Sequence, residues 1–195
     1  MALKKLYAPK LLVLRIKLEN ISPFIIRKVL VRNTITFHKL HEIIQDAMGW
    51  EDYHLYEFRK NDYVINYEKS DFDFFPRYQR LSSRKTPIAR FLNDTKNKIK
   101  YTYDFGDSWD HIISVSKVME DDPKVKHPVC LKASRSCPPE DCGGIGGYYR
   151  LLEALQDKEP DEDTLDLLEW MDENFDPENV DIDFINACLK TIRMR

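Results

Sequence analysis

The sequence predicts an α+β fold in which a largely antiparallel sheet carries one helix inserted early and a C-terminal group of about three helices. Two observations support this class. Apolar and polar residues alternate in several runs before residue 135, which is the period of half-buried strands. After residue 147, apolar residues recur at helical spacing instead. Strands and helices are thus segregated along the chain, whereas an α/β fold alternates them.

The first 50 residues are predicted to form two strands and a helix. Leucine and isoleucine occupy every second position in residues 12–18, and residues 25–31 are a second β-rich run. From Thr36 onward the apolar spacing becomes helical. Thr36 supplies a side-chain oxygen suited to capping the helix N-terminus, and Gly49 is placed to end the helix.

The middle of the chain is predicted to hold a hairpin, a long loop and further strands. Residues 53–58 and 63–67 have the composition of hairpin strands, with a polar turn between them. Residues 68–87 are polar and aromatic and are predicted to be a long loop, followed by a short helical turn over 88–92. Strands are predicted again at 99–103, 109–118 and 129–131.

Three helices are predicted to close the chain, over residues 148–156, 162–173 and 181–193. Apolar residues in the last two recur about three or four positions apart, which predicts one core-facing side for each helix. The predicted core-facing residues are Leu165, Leu168 and Met171 in the second helix and Phe184, Ile185, Cys188, Leu189 and Ile192 in the third.

At 195 residues the chain is predicted to be one domain, with a core over about 10–155 and an acidic helical part over 157–195. The net charge of −3 conceals a split, because residues 1–100 hold 20 Lys and Arg against 11 Asp and Glu, whereas residues 157–183 hold 13 acids and a single base. One interpretation is an acidic helical face beside a basic sheet region. The other is a basic surface for nucleic acid that the acidic part masks.

No stretch approaches the ~20 apolar residues of a membrane helix, and no signal peptide is recognisable at the start of the sequence. We therefore expect a cytoplasmic protein without a membrane partner. Its four cysteines would be reduced in that compartment, where clustered thiols serve metal or redox chemistry more often than structural disulfides.

Two short segments concentrate chemically reactive side chains, and the first, residues 103–111, reads YDFGDSWDH. Asp104 and Asp107 belong to a tight hairpin turn, and Trp109 and His111 would follow on one face of the returning strand. One interpretation is a structural Asp-rich turn anchored by Trp109. The other pairs His111 with Asp104 or Asp107 for metal binding or proton transfer.

The second segment, residues 137–144, reads CPPEDCGG. Its two prolines stiffen the backbone and present Glu140 and Asp141 on a rigid turn. Gly143 and Gly144 begin a glycine-rich run that feeds a helix, where free backbone N–H groups can cradle an anion. The lysine and serine of a phosphate-binding P-loop do not follow. We therefore expect a sharp turn that packs Glu140 and Asp141 against the first segment.

Cysteines near the second segment offer a zinc site. Zinc prefers thiolate and imidazole ligands, and the candidates are Cys130, Cys137, Cys142 and His127. Their spacing lacks the paired C-x2-C knuckles of zinc ribbons, so reduced and partly buried thiols are the alternative interpretation. The residues indicate no other cofactor.

If the two segments meet, they form a pocket with two sets of candidate residues. The candidate catalytic residues are Asp107, His111, Glu140 and Asp141. The candidate ligand-binding residues are His54, Tyr103, Asp104, Trp109, Gly143 and Gly144. His54, which opens a strand, ranks behind His111 as the histidine of the site.

Over roughly residues 10–155 the chain resembles the plasmid pRiA4b ORF-3-like family. The resemblance rests on the two segments in the same order, on residues 37–50 leading into His54-Leu55, and on Ile21-Ser22-Pro23 with Arg27. Two positions depart from the family pattern. Ile26 stands where tryptophan is typical, and Tyr56 stands where a second histidine is common, which weakens a metal pair between His54 and residue 56.

The resemblance implies an α+β domain without an established biochemical activity. Some relatives are labelled resolvase-like passengers of insertion elements, but the residue sets of serine and tyrosine recombinases cannot be placed in this chain. We therefore expect, first, a non-catalytic binding or interaction domain whose partner the sequence does not name. The alternatives are a metal-dependent, hydrolase-like enzyme using the Asp, His, Glu and Cys pocket, and a nucleic-acid-associated protein of a mobile element.

Overall fold

The structure, a computed structural model, describes residues 7–67, 78–157, 159–170 and 175–194. Within these residues eight strands form one sheet. They are β1 (Lys10–Leu18), β2 (Ile26–Arg32), β3 (Tyr56–Lys60), β4 (Tyr63–Asn66), β5 (Gln79–Ser82), β6 (Lys98–Tyr103), β7 (Trp109–Glu120) and β8 (Val129–Ser134). Their order across the sheet is β5-β4-β3-β6-β7-β1-β2-β8, and neighbours are antiparallel except for the parallel pair β4 and β5.

The described residues also contain four α-helices. They are α1 (Phe37–Met48), α2 (Gly144–Ala154), α3 (Glu162–Trp170) and α4 (Ile182–Leu189), and a 3₁₀ turn covers Ile88–Arg90. One helix lies early and three follow the last strand, so the predicted α+β class is confirmed. None of these helices is long and apolar enough to cross a membrane.

α1 begins and ends where the sequence predicts. The Thr36 hydroxyl accepts a backbone N–H of the first turn at 3.2 Å. Gly49 ends the helix at φ 85° and donates its N–H to the Gln45 carbonyl oxygen at 2.8 Å. Phe37 is fully buried, and its ring centroid lies 4.9 Å from that of Phe58 in β3. Contacts between neighbouring residues therefore fix both ends of the helix, and its apolar face packs against the sheet.

β8 lies at one edge of the sheet, and α4 covers its free backbone. The Asn186 side chain donates to the Cys130 carbonyl oxygen (3.1 Å) and accepts the Cys130 N–H (2.8 Å), which gives this residue of the edge strand the pairing that a further strand would supply. Arg135, just past the end of β8, forms an ion pair with Glu178. These contacts attach the C-terminal part to the sheet edge.

Two predicted segments differ in the structure. Residues 79–82, assigned to a long loop because they are polar, form β5, whose strand character depends on its parallel pairing with β4. Residues 68–77 of that predicted loop lie outside the described residues. α2 begins at Gly144 and not at Tyr148, because its glycines allow the first helical turn to lie directly against the preceding loop.

The predicted core-facing sides of the last two helices are wrong at two positions. Leu165 of α3 is 47% exposed and Phe184 of α4 is 65% exposed. α4 has only 8 residues, so Ile185 and Leu189, four positions apart, are the residues that it buries. Met171 lies outside the described residues.

Two neighbouring glycines of α2 are expected to respond oppositely to alanine. A Cβ added at Gly147 would lie 1.6 Å from the Cys142 carbonyl oxygen, whereas one at Gly146 meets nothing within 4 Å. We expect Gly147→Ala to lower the free energy of unfolding by about 3 kcal/mol, because the loop must be displaced. Gly146→Ala should raise it by up to about 1 kcal/mol. Urea unfolding followed by circular dichroism measures both, and equal stabilities would contradict the close approach.

Candidate functional site

The loop of the second segment rests against the hairpin turn of the first. The Gly143 N–H donates to Oδ2 of Asp107 at 3.2 Å. A Cβ on Gly144, which has φ 67°, would lie 2.8 Å from the Asp107 carbonyl oxygen, so the approach requires glycine. The predicted contact between the two segments is thereby confirmed, and both glycines serve it through their backbones.

The same contact occupies the N-terminus of α2. Gly143 is the N-cap residue of this helix, so the Asp107 carboxylate lies at the helix end that carries positive partial charge. The glycine run therefore does bind an anion, as its sequence suggested, but the anion is the side chain of the protein itself. Asp107 is a structural anchor of the loop in this geometry.

Glu140 is the second anchor of the loop. Its carboxylate accepts hydrogen bonds from the Tyr103 hydroxyl and from the Glu51 N–H, the latter at 2.7 Å. The indole N–H of Trp50 donates to the Pro138 carbonyl oxygen at 2.9 Å, and its ring stacks on Tyr103 with centroids 5.1 Å apart. Burial, together with the Glu140 carboxylate, raises the pKa of Tyr103 and keeps its hydroxyl a donor.

His111 does not meet the turn carboxylates that the sequence suggested as its partners. It shares the core-facing side of β7 with Trp109, and both are at most 1% exposed. Its Nδ1 lies 2.9 Å from the Trp109 carbonyl oxygen, and its ring packs edge-on against Trp50. Burial lowers the pKa of His111 to about 4. Pairing with Asp104 or Asp107 does not hold, because the alternation that places His111 beside Trp109 also directs it into the core.

The imidazole that meets the carboxylates is that of His54. Its Nδ1 lies 3.8 Å from Oδ1 of Asp104, and its Nε2 lies 3.1 Å from Oδ1 of Asp141. The Asp104 N–H donates to the Leu55 carbonyl oxygen at 2.9 Å, which fixes the turn beside His54. From the sequence, His54 ranked behind His111, since it was predicted to open a strand and to share a face with Tyr56 and Phe58.

The residues predicted to bind zinc lie apart and have different partners. Their contacts include Cys130 Sγ to the Lys132 carbonyl (3.6 Å), Cys137 Sγ to the Arg27 guanidinium (3.2 Å), Cys142 Sγ to the Gly144 carbonyl (3.9 Å), and His127 Nδ1 to the Ile192 carbonyl (3.1 Å). Burial raises the pKa of the three thiols, to about 12 for Cys142. Among the described residues, the side chains close enough to share an ion are instead His54, Asp104 and Asp141.

Beside His54 the surface opens into a groove of about 760 Å³, a volume within the range of ligand sites. One wall comes from α1, and the other comes from β3, β4 and β5. Its lining includes His38, Asp52 and the exposed side chains of Leu55 and Phe105. The groove therefore has both polar groups and accessible apolar surface.

A buried polar network lies next to the groove, and sequence reasoning missed it. Nε2 of His41 lies 2.7 Å from Oδ1 of Asp52, and its Nδ1 lies 2.8 Å from the Tyr101 hydroxyl. Its ring stacks on Tyr56 with centroids 3.5 Å apart. Burial lowers the pKa of His41 to about 4, although Asp52 opposes the shift. The spacing of the sequence could have placed His41 in the core, since it lies four residues after Phe37 and therefore on the same, buried face of α1.

We compared the chain with protein-family models and with known proteins. The model of the plasmid pRiA4b ORF-3-like protein family matches residues 10–184. The chain belongs to this family. The resemblance that the two segments indicate is confirmed, and the match extends past α3 to the first turn of α4.

Two proteins similar to this chain have no assigned function. The chain is 38% identical over 160 residues to the uncharacterized protein y4hQ of Sinorhizobium fredii, covering 80% of this chain and 78% of that one. It is also similar to the crystal structure of MM3350, a protein of unknown function from Methanosarcina mazei Go1. That similarity has a TM-score of 0.81 and 32% identity over 91% of this chain and 97% of MM3350. The family thus fixes the fold, and function has to be argued from geometry.

The burial of His41 and His111 makes the stability of this family member depend on pH. For both side chains the pKa in the folded protein is about 4, below the ordinary value of 6.5. The unfolded chain therefore takes up protons first as the pH falls. Each histidine therefore contributes to the free energy of unfolding, and its contribution is fully present above pH 6.5. Between pH 6.5 and pH 4 that contribution falls by up to about 1.4 kcal/mol per pH unit for each histidine.

The variant His111→Phe tests this dependence. It removes one of the two groups, so the slope of unfolding free energy against pH between 6.5 and 4 should become shallower by up to about 1.4 kcal/mol per unit. Urea unfolding of both proteins at several pH values gives the slopes, and carboxylates common to both cancel in the difference. Identical slopes would show that His111 is not held neutral in the folded protein.

Proposed function

We propose that the protein is a non-catalytic binding domain whose partner is a basic, partly apolar polypeptide segment. The surface that receives it, the acidic surface, lies where the two segments meet. It consists of the carboxylates of Glu51, Asp107 and Glu140 and the exposed side chains of Tyr53, Leu55 and Phe105.

The observation that carries this proposal is that no described basic side chain forms an ion pair with the carboxylates of the acidic surface. Within the part of the chain that the structure describes, none of the three lies within 4.0 Å of a Lys, Arg or His side-chain nitrogen. The hydrogen bond to Glu51, reinforced by the charges of Glu51 and Glu140, raises the pKa of Tyr53. Negative charge that the protein itself leaves unneutralised attracts a cationic partner.

Apolar side chains stand among these charges. Tyr53 is 72% exposed, Leu55 is 70% exposed and Phe105 is 52% exposed. Aromatic and aliphatic groups enclosed by a polar rim are typical of protein recognition surfaces. Leu55 and Phe105 also line the groove, which offers room for an apolar side chain of the partner. A segment that combines lysine or arginine with apolar residues therefore matches this surface better than a purely charged one.

The acidic surface is rigid before any partner arrives. Glu140 is tied to the Glu51 N–H, Asp107 is tied to the Gly143 N–H, and the Tyr53 hydroxyl donates to Glu51. A surface already ordered in this way loses little conformational freedom on binding, so more of the interaction energy appears as affinity.

The same contacts favour binding over the enzyme alternative. Among the predicted catalytic residues, Asp107 anchors α2, Glu140 anchors the loop and His111 faces the core. A general acid or base has to exchange a proton with a bound substrate. Here hydrogen bonds within the protein already engage the carboxylates of Asp107 and Glu140, and His111 is buried. The charge of the acidic surface also opposes the nucleic-acid alternative at this place, because phosphates would be repelled.

A direct test uses a labelled peptide in which lysine alternates with leucine. We expect the full chain to bind it, with an affinity that falls as salt is added, because exposed charges are screened. Glu51→Lys should weaken binding by about fivefold or more, since a charge on the surface changes sign at a cost of about 1 kcal/mol. Fluorescence anisotropy measures the dissociation constants.

The matched control is Glu120→Lys, the same charge reversal on a 92% exposed side chain at the opposite end of β7. It should leave the dissociation constant unchanged. A peptide with glutamate in place of lysine should not bind. The proposal is overturned if no peptide binds, if the acidic peptide binds equally well, or if both charge reversals weaken binding alike.

A further inference from the structure

Beside the acidic surface, three side chains converge that the proposal above does not require. They come from separate parts of the chain, namely His54 before β3, Asp104 in the turn after β6, and Asp141 in the loop before α2. One nitrogen or oxygen from each lies within 4.8 Å of the others. We propose that His54, Asp104 and Asp141 bind one divalent first-row transition-metal ion such as Zn²⁺, whether or not the peptide partner proves correct.

The spacing suits an ion with short bonds. Ligand atoms about 2.1 Å from a metal lie about 3 to 3.5 Å from one another in tetrahedral or octahedral geometry. Here Nε2 of His54 lies 3.1 Å from an Asp141 oxygen and its Nδ1 lies 3.8 Å from an Asp104 oxygen. A single ion takes one of these nitrogens, and one nitrogen together with one oxygen from each aspartate lies within 4.8 Å of the others. Side-chain rotation toward the ion has to shorten the longer of these separations.

The imidazole is left without a hydrogen bond at the point where a metal ion would bind. Nε2 of His54 is buried and has no hydrogen-bond partner, although Asp141 lies 3.1 Å away, so that close contact lacks the direction of a hydrogen bond. A buried polar atom normally has a partner, because leaving it without one costs free energy. A metal ion satisfies such a nitrogen through its lone pair.

Asp104 is a second group that gains from a cation. Its side chain is only 10% exposed, and the backbone Gly106 N–H holds Oδ1 at 2.8 Å. A carboxylate with so little contact with water gains from a neighbouring cation. The Gly106 hydrogen bond also orients the oxygen, in the manner of the outer contacts that position metal ligands.

The scaffold holds the three ligands in place before any ion binds. The Asp104 N–H donates to the Leu55 carbonyl oxygen at 2.9 Å, which joins the turn to the residue after His54. The loop that carries Asp141 is fixed to the same turn by the Gly143 contact with Asp107 at 3.2 Å. Preorganised ligands of this kind raise affinity because no loop has to be ordered.

The donor set indicates the class of ion. One imidazole nitrogen and two carboxylate oxygens, with a total charge of −2, suit Zn²⁺ or Mn²⁺, whereas Mg²⁺ and Ca²⁺ prefer oxygen ligands alone. Zn²⁺ should bind more tightly than Mn²⁺, following the general order of affinities. Three protein ligands leave a coordination position free, and His54 lines the groove, so a molecule in the groove could reach the ion.

The test is calorimetric titration of the metal-free, reduced full chain with Zn²⁺ and then Mn²⁺. We expect one equivalent of each to bind, and His54→Asn and Asp141→Asn to lower the Zn²⁺ affinity at least about 100-fold, since losing even an outer contact costs 10-fold to 100-fold. Asn at residue 141 tolerates the φ of 57° found there, so the loop should keep its shape. Thermal melting of each variant checks that it is folded.

Glu51→Gln is the matched control, because it removes a negative charge of the adjoining surface without removing a ligand, and it should lower the affinity by no more than about fivefold, the effect of an exposed and screened charge. Co²⁺ loaded in place of Zn²⁺ should show no thiolate charge-transfer absorption, which separates this site from the cysteines. The proposal is overturned by absence of one-equivalent binding, by unchanged affinity in both ligand variants, by equal loss in Glu51→Gln, or by a thiolate signal. The peptide experiment can fail without the metal experiment failing, because Glu51→Lys alters the acidic surface and leaves the three metal ligands intact.

Discussion

One buried cation holds together the elements on which both proposed binding surfaces depend. Arg27 of β2 is 1% exposed, and within the described chain no carboxylate forms an ion pair with it. Its donors instead meet the Ala47 carbonyl oxygen of α1 (2.7 Å), the Ser134 carbonyl oxygen of β8 (3.0 Å) and Cys137 Sγ (3.2 Å). Since the carbonyl end of a helix is partly negative, α1 supplies part of the missing counter-charge. A buried guanidinium without these acceptors would cost several kcal/mol, so helix, sheet edge and loop keep their places together.

The path of the loop follows from that anchor. After Cys137 the chain is held to Trp50 through the Pro138 carbonyl, to Glu51 through Glu140, and to the hairpin turn through Gly143. Two of these ties join the loop to the segment after α1 and the third joins it to the hairpin turn, and together they present Asp141 to His54. Arg27 touches neither proposed surface, yet both rely on the loop it helps to position. This also gives Cys137 a structural role, in place of the zinc ligation that its spacing suggested.

Much of the fold could be predicted from the sequence, because its signals act over short distances. Alternation over residues 14–18 of β1 and 109–115 of β7, the Thr36 cap and the Gly49 stop of α1 all depend on neighbouring residues, and each appears in the structure as expected. β5 could not be predicted, since Gln79–Ser82 is a strand only by virtue of its pairing with β4. The exposure of Phe184 was missed for a related reason, because spacing shows which residues share a face but not how much of that face finds a partner.

The sequence by itself determined the order of strands and helices, the turns, the family and the fact that the two segments concentrate unusual side chains. Only the tertiary structure decided that His54 rather than His111 meets the carboxylates, that Asp107 fills the glycine cradle of α2, and that the cysteines point to separate partners. The physical reason is that caps and periodic patterns are set by contacts a few residues apart. The site is set by side chains from distant segments, and their meeting depends on strand register, side-chain direction and the buried charge of Arg27, which no local pattern encodes.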